Sequence, residues 1–220
     1  MADLAEFTFN RARPLPVIVL ADVSGSMADD SKIQILNQSI AEMIRAFSGD
    51  AGDWAEIHLG VIAFGAGVVK PVTRLQPASD IQFTPLIAGG NTPMGQAFEL
   101  TALLLEDKTQ IPSRAYRPMI ILVSDGVPTD EWEAPLQQLL TSPRASKADR
   151  IALAIGEDAD IEVLKEFTQK ASQVIRAHEV SEIKKFFRFI TMSVSVRSTS
   201  NNPNNVESQS YEDFEADIEF

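Results

Sequence analysis

No cysteine occurs anywhere in the chain. That excludes disulfides, thiol nucleophiles and Cys-ligated zinc or iron–sulfur centres. Histidine is almost as scarce: only His58 and His178 occur, neither in a paired metal-ligand motif, so both are expected in structural or surface roles. Long hydrophobic runs are missing too. Val17–Ala21 and Met119–Val123 are among the longest, far short of the ~20 residues that span a bilayer as a helix. The opening Met1-Ala2-Asp3-Leu4-Ala5-Glu6 has no basic region followed by an apolar stretch, so no signal peptide is expected and the cytoplasm is the expected location. Basic charge is in deficit, with 19 Lys and Arg against 31 Asp and Glu and a net charge of -12. Such a surface repels phosphate backbones and anionic lipid heads, so nucleic acid and membranes are poor partners.

What is present is a core. Apolar residues make up 45% of the sequence, enough for one sizeable α/β domain with an appendage. Val17–Ala21 is apolar throughout and mostly β-branched, the pattern of a parallel strand buried on both faces. Ile33, Ile35, Leu36, Ile40, Met43, Ile44 and Phe47 then recur at helical spacing until Ser48-Gly49-Asp50. Ile57–Phe64 reads as a strand, Gly65-Ala66-Gly67 as a hairpin turn, and Val68–Leu75 as an edge strand because it contains Pro71. Further helices are expected over Thr92–Leu105, Glu131–Leu140, Ile161–Thr168 and Ser181–Val196. Further strands are expected at Met119–Val123, Arg150–Ile155 and Val174–Ala177. This alternation predicts a Rossmann-like three-layer α/β/α sandwich of about six strands, mostly parallel, with one antiparallel edge strand. Trp54 and Trp132 are expected to be partly buried.

The domain is expected to end at residue 196. Residues 197–220 read as a flexible acidic tail, polar and Pro-containing through Asn205, and carrying six acidic residues against one basic. Its last ten residues interleave acids with Phe214, Ile218 and Phe220, which suits a linear interaction motif and self-association through the tail.

Three segments carry the chemistry: Asp22-Val23-Ser24-Gly25-Ser26, Gly89-Gly90-Asn91-Thr92-Pro93-Met94-Gly95, and Ser124-Asp125-Gly126. Each is read as following a strand, the first after Val17–Ala21 and the third after Met119–Val123. In a doubly wound sheet ligands gather beyond the carboxyl ends of the strands, so all three are expected to converge there. The candidate ligands among them are two carboxylates, Asp22 and Asp125, and three hydroxyls, those of Ser24, Ser26 and Thr92, with no His or Cys. That all-oxygen set selects a hard cation, Mg²⁺ first, with Mn²⁺ or Ca²⁺ as alternatives. At most two carboxylates cancel the ion's charge, so it remains a Lewis acid for an external anionic oxygen. Plainer readings exist for each part: Asp22 and Ser24 as helix caps, Asp125-Gly126 as a turn, Thr92 as an N-cap before Pro93, and Asp29 and Asp30 as first-turn acids of the next helix.

Asp22-x-Ser24-x-Ser26, the distant Thr92 and Asp125-Gly126 resemble the metal-ion-dependent adhesion site (MIDAS) of von Willebrand factor A domains, over about residues 13–196. The resemblance implies that Ser24, Ser26 and Thr92 contact the metal directly in a ligand-bound state, with Asp22 and Asp125 acting directly or through water. A partner Asp or Glu would complete the shell. Asn91, between the glycine pair and Thr92, is a local departure from the pattern. Val123–Trp132 is similar to bacterial TerY-type proteins of tellurite-resistance and stress clusters, which implies a signalling assembly with a protein kinase or PP2C-like phosphatase as partner.

Three functions are compatible with these features. The first is a metal-dependent protein-binding module, not an enzyme. The second is a Mg²⁺-dependent phosphohydrolase; against it stand the lack of a second Asp two residues after Asp22, the lack of a lysine in the three segments, and the lack of a phosphate-cradling loop. The third is an adaptor phosphorylated in its tail.

Overall fold

The computed structural model describes residues 12–49, 54–206 and 210–218. Asp50, Glu207, Glu219, Phe220 and the opening residues lie outside them, as does the side chain of Ile218.

Six strands form one sheet: β1 (Arg13–Val23), β2 (Ala55–Gly65), β3 (Val68–Pro77), β4 (Met119–Ser124), β5 (Asp149–Ile155) and β6 (Val174–Ala177). Their order is β3-β2-β1-β4-β5-β6. β1 pairs in parallel with β2 and β4, β5 with β4 and β6, and only the β2–β3 hairpin is antiparallel. This is the expected mostly parallel sheet with an antiparallel edge, and Pro71 does sit on that edge, opposite Ile62.

β1 is buried on both sides because its alternate residues serve two cores. Val17, Val19 and Ala21 pack toward α1 (Lys32–Gly49) and α5 (Val180–Thr199). Ile18 and Leu20 pack toward α2 (Met94–Glu106), α3 (Glu133–Thr141) and α4 (Ile161–Thr168). A strand with no solvent face has to be apolar at every position, which is why its run is continuous.

Local differences from expectation have simple causes. Asp29 and Asp30 belong to a short 3₁₀ stretch, Gly25–Ser31, that ends in a kink with Asp30 at φ 51°. They are therefore not first-turn acids of α1. α2 starts at Met94 with Pro93 as its cap residue, so Thr92 does not cap it. That work falls to Asp130, whose carboxylate accepts from the N–H groups of Gly95 and Gln96 at 2.9 and 3.0 Å. Trp132 is half-buried as expected, whereas Trp54 is exposed. His58 lies 2.7 Å from Glu56 and His178 2.8 Å from Glu157, both as local strand and surface pairs.

The expected boundary at 196–197 falls inside α5, which runs to Thr199. Arg197 is buried, and its guanidinium donates to the carbonyls of Pro203 and Arg117 at 3.0 and 2.8 Å. Asn204 in turn accepts from the Arg117 N–H at 2.8 Å. Beyond it Tyr211–Ile218 forms a helix, α6. Phe214 is buried against Phe189 of α5, with ring centroids 5.3 Å apart, and Tyr211 packs edge-on to the same ring. The described part of the acidic tail thus lies on the domain, with Tyr211 and Phe214 packed against Phe189 of α5.

Candidate metal centre

The three segments do converge at the carboxyl ends of β1 and β4. Asp22, at the end of β1, is fully buried and turns back on its own loop, Oδ1 accepting from the Ser24 N–H at 2.8 Å. Its other oxygen accepts from the Ser124 hydroxyl at 2.6 Å, which ties β1 to β4 across the site. Ser24 Oγ and Ser26 Oγ are 3.1 Å apart. Ser26 Oγ donates to Asp125 Oδ1 at 2.7 Å. The alternate spacing of Asp22, Ser24 and Ser26 therefore does aim three side chains at one region.

Thr92 reaches the same place despite Asn91, which points to solvent while Thr92 is buried. A methyl group placed on Gly126 would lie 3.6 Å from Thr92 Oγ1 and 4.0 Å from Ser26 Oγ, so both hydroxyls border one spot. Two sets of backbone bonds hold the Thr92 loop there. On one side the Gly25 N–H donates to the Gly90 carbonyl at 3.0 Å, the Gly89 N–H to Val23 at 2.8 Å, and the Ala66 N–H of the hairpin to Gly89. On the other, Thr92 N–H donates to Thr129 Oγ1 and Thr129 N–H to the Thr92 carbonyl, both at 3.0 Å. Gly95 lets this loop close: a Cβ there would collide with the Glu131 carbonyl.

Burial pushes the Asp22 carboxyl up from 3.8 to about 6. The hydrogen bonds from Ser124 and Ser24 oppose the rise, and the negative charge of Asp125 adds to it. The site thus holds buried negative charge at a cost, and a cation would relieve it.

A family model, the von Willebrand factor type A domain, matches residues 17–189. The chain belongs to this family. Its fold is shared with proximal thread matrix protein 1 from the mussel byssus, at 19% identity and a TM-score of 0.65, covering 82% of this chain and 48% of that one. A second structure of that protein is described as having a zinc-occupied MIDAS motif, at 18% identity and a TM-score of 0.64 over 82% and 48% of the two chains. A von Willebrand factor type A protein from Catenulispora acidiphila matches at 20% identity and a TM-score of 0.60, over 86% of this chain and 43% of that one. The chain spans about half the length of these solved structures or less. No curated protein matches it.

The donors in this von Willebrand A domain suit a hard cation. Among the described residues no three His, Cys, Asp or Glu side chains gather as a metal cluster. An ion bound where the three segments meet would rest on Asp22 and Asp125 together with the hydroxyls of Ser24, Ser26 and Thr92, an oxygen-only set that fits Mg²⁺ chemistry. The structure also shows that the spot accepts positive charge. The Lys32 ammonium, from the first turn of α1, lies 2.8 Å from Asp125 Oδ2, with that carboxylate fully buried and the Lys32 side chain 17% exposed.

Lys32, Ser124, Thr129 and Asp130 are the site residues that sequence reasoning leaves out. Ser124 stands inside the third motif, but nothing in its spacing marks it as the partner of Asp22. Lys32 lies six positions after Ser26, outside any of the three segments, and its partner is 93 residues away. Its presence removes one sequence argument against phosphoryl transfer, the missing lysine. The argument from position 24 remains, since Ser24 stands where a second Asp would be needed.

Proposed function

We propose that this domain is a metal-dependent protein-binding module. Asp22, Ser24, Ser26, Thr92 and Asp125 would hold one divalent ion, Mg²⁺ by preference, with Mn²⁺ or Ca²⁺ as substitutes. The bound ion would supply a positive charge to an Asp or Glu carboxylate of a partner. The observation that carries this reading is the chain of contacts from Ser24 through Ser26 to Asp125, built from residues about 100 positions apart. It meets a cation in the form of Lys32. Domains of this family are typically metal-dependent adhesion or protein-binding modules. The zinc-occupied motif of the mussel protein supports a cation at the matching place.

The chain's own residues divide the work. Ser124 and the Ser24 N–H fix the Asp22 carboxylate. The Gly89–Gly90 and Thr129 bonds hold Thr92. Val127, exposed beside the site, gives an apolar contact to whatever docks. We further infer a place in a bacterial stress-response or phosphorylation-linked assembly, with a kinase or PP2C-like phosphatase as the acidic partner and the cytoplasm as the location. That finer reading rests on the TerY-like Val123–Trp132 segment. Among the described residues no helix is long and apolar enough to cross a membrane.

Calorimetric titration with Mg²⁺ and Mn²⁺ is the test, followed by capture of a candidate kinase or phosphatase with and without chelator. Saturable binding, weakened at least about tenfold in Ser26→Ala, is expected. No heat with either ion would end the metal reading. Mg²⁺-dependent turnover of a generic phosphate ester would favour the hydrolase.

A further inference from the structure

Lys32 bears directly on the cation-site reading, and its role rests on that reading. Both oxygens of Asp125 are engaged, Oδ1 by the Ser26 hydroxyl at 2.7 Å and Oδ2 by the Lys32 ammonium at 2.8 Å. The ammonium also lies 3.5 Å from the Ser26 carbonyl. It is thus seated among the groups that would meet a divalent ion. Ion pairs formed inside a protein are screened far less than those on its surface, and this carboxylate is fully buried.

We propose that Lys32 is an internal competitor that weakens divalent-ion binding and, by the same charge, strengthens capture of the partner's carboxylate. With Asp22 and Asp125 ionised, the site carries two negative charges, and Lys32 leaves one uncompensated. A divalent ion then brings the site to a net charge of plus one. Without Lys32 the same ion would bring it to zero. A lysine here therefore opposes the entering ion by like-charge repulsion and leaves the loaded site attractive to an anion. A neutral side chain reverses both effects. The four-carbon stem lets the ammonium pivot away from Asp125 toward an incoming carboxylate, since its pair is a single contact and not a bidentate fork. No other described residue shares this place: the site's remaining side-chain donors are hydroxyls.

The experiment uses the full chain and the substitutions Lys32→Met and Lys32→Arg. Met keeps the stem's packing without the charge, and Arg keeps the charge. Mn²⁺ affinity is read by calorimetry, and acetate binding to the Mn²⁺-loaded protein by water-proton relaxation. Lys32→Met is expected to bind Mn²⁺ at least about tenfold more tightly, from Coulomb repulsion of a 2+ ion at contact range even in a high effective dielectric. It is expected to bind acetate several-fold more weakly, while Lys32→Arg stays close to the parent. Opposite movement of the two affinities is something loss of packing would not produce. Equal or weaker Mn²⁺ binding by Lys32→Met, with the parent binding normally, overturns the competitor and leaves the metal site standing. Unchanged acetate affinity overturns the anion-capturing half. Failure of both the parent and Lys32→Met to bind Mn²⁺ or Mg²⁺ removes the metal site itself, and the inference falls with it.

Discussion

Asp22→Asn separates what this site costs the fold from what it gains by binding. The substitution keeps shape and hydrogen-bonding reach but removes the charge. Asn Oδ1 can still accept from the Ser24 N–H, and its amide can donate to the Ser124 hydroxyl. A carboxyl that ionises at 3.8 when the chain is unfolded and at about 6 when it is folded favours the protonated folded state. Below pH 3.8 the group is neutral in both states and costs nothing, between 3.8 and 6 the penalty grows, and above 6 it is constant. At ~1.36 kcal/mol per pH unit the full penalty is about 3 kcal/mol. For a domain of this size that corresponds to roughly 6–12 °C in Tm. In chelator at about pH 8, well above the folded pKa, Asp22→Asn is therefore expected to melt above the parent, and the gap should close as the pH falls below about 4. Adding Mg²⁺ should raise the parent's Tm and leave the variant's unmoved. Thermal melts with and without EDTA across this pH range decide it. A variant no more stable than the parent in EDTA at the alkaline end would show that the buried charge is already compensated, and an equal Mg²⁺ response would remove Asp22 from the metal shell.

Three other substitutions test separate parts of the structure. Ser26→Ala removes the hydroxyl that joins Ser24 to Asp125, so Mg²⁺ affinity should fall at least about tenfold, the order seen when groups supporting a metal site are lost, while the denaturation midpoint in EDTA moves little. Gly95→Ala forces a Cβ into the Glu131 carbonyl; backbone must shift, and urea denaturation should show a loss of about 3 kcal/mol or more, a neutral result meaning that the α2–α3 contact is looser than this clash implies. Phe214→Ala empties the place beside Phe189, and should cost toward the low end of about 3–5 kcal/mol and open α6 to proteolysis; an unchanged cleavage pattern would mean that α6 is not held by this ring.

The parts of the fold visible in the sequence are those set by local pattern. Val17–Ala21 in β1 and Met119–Val123 in β4 are apolar at every position because both faces are covered, and an uninterrupted run shows that without any knowledge of neighbours. The site is legible for a related reason: Asp22 and Asp125 each come just after such a run, and parallel strands deliver their succeeding residues to one end of the sheet. Lys32, Asp130 and Arg197 are not legible, because each acts on a group far along the chain. Asp130 looks like a loop acid until its carboxylate is seen beneath the first turn of α2. α6 is hidden in the same way. Tyr211 and Phe214 are three residues apart in an acidic stretch, and only the ring of Phe189 turns that spacing into a buried face. Thr92 reads as both ligand and cap in the sequence because its neighbour is Pro93, and the structure separates the two roles by giving the cap to Asp130.

The Arg197 contacts have a mechanical meaning. Its guanidinium reaches Arg117 and Asp149, at the entry ends of β4 and β5. The candidate metal centre lies at the exit ends of β1 and β4. A partner held at that centre and a pull applied through α5 would therefore draw along the strands from opposite poles. Parallel neighbours loaded lengthwise slide against all their shared hydrogen bonds together, whereas a pull across the sheet would break them one after another. β1 shares a register of five residues with β4, so tension entering at the end of β1 would meet that ladder in shear, the direction in which a sheet resists most.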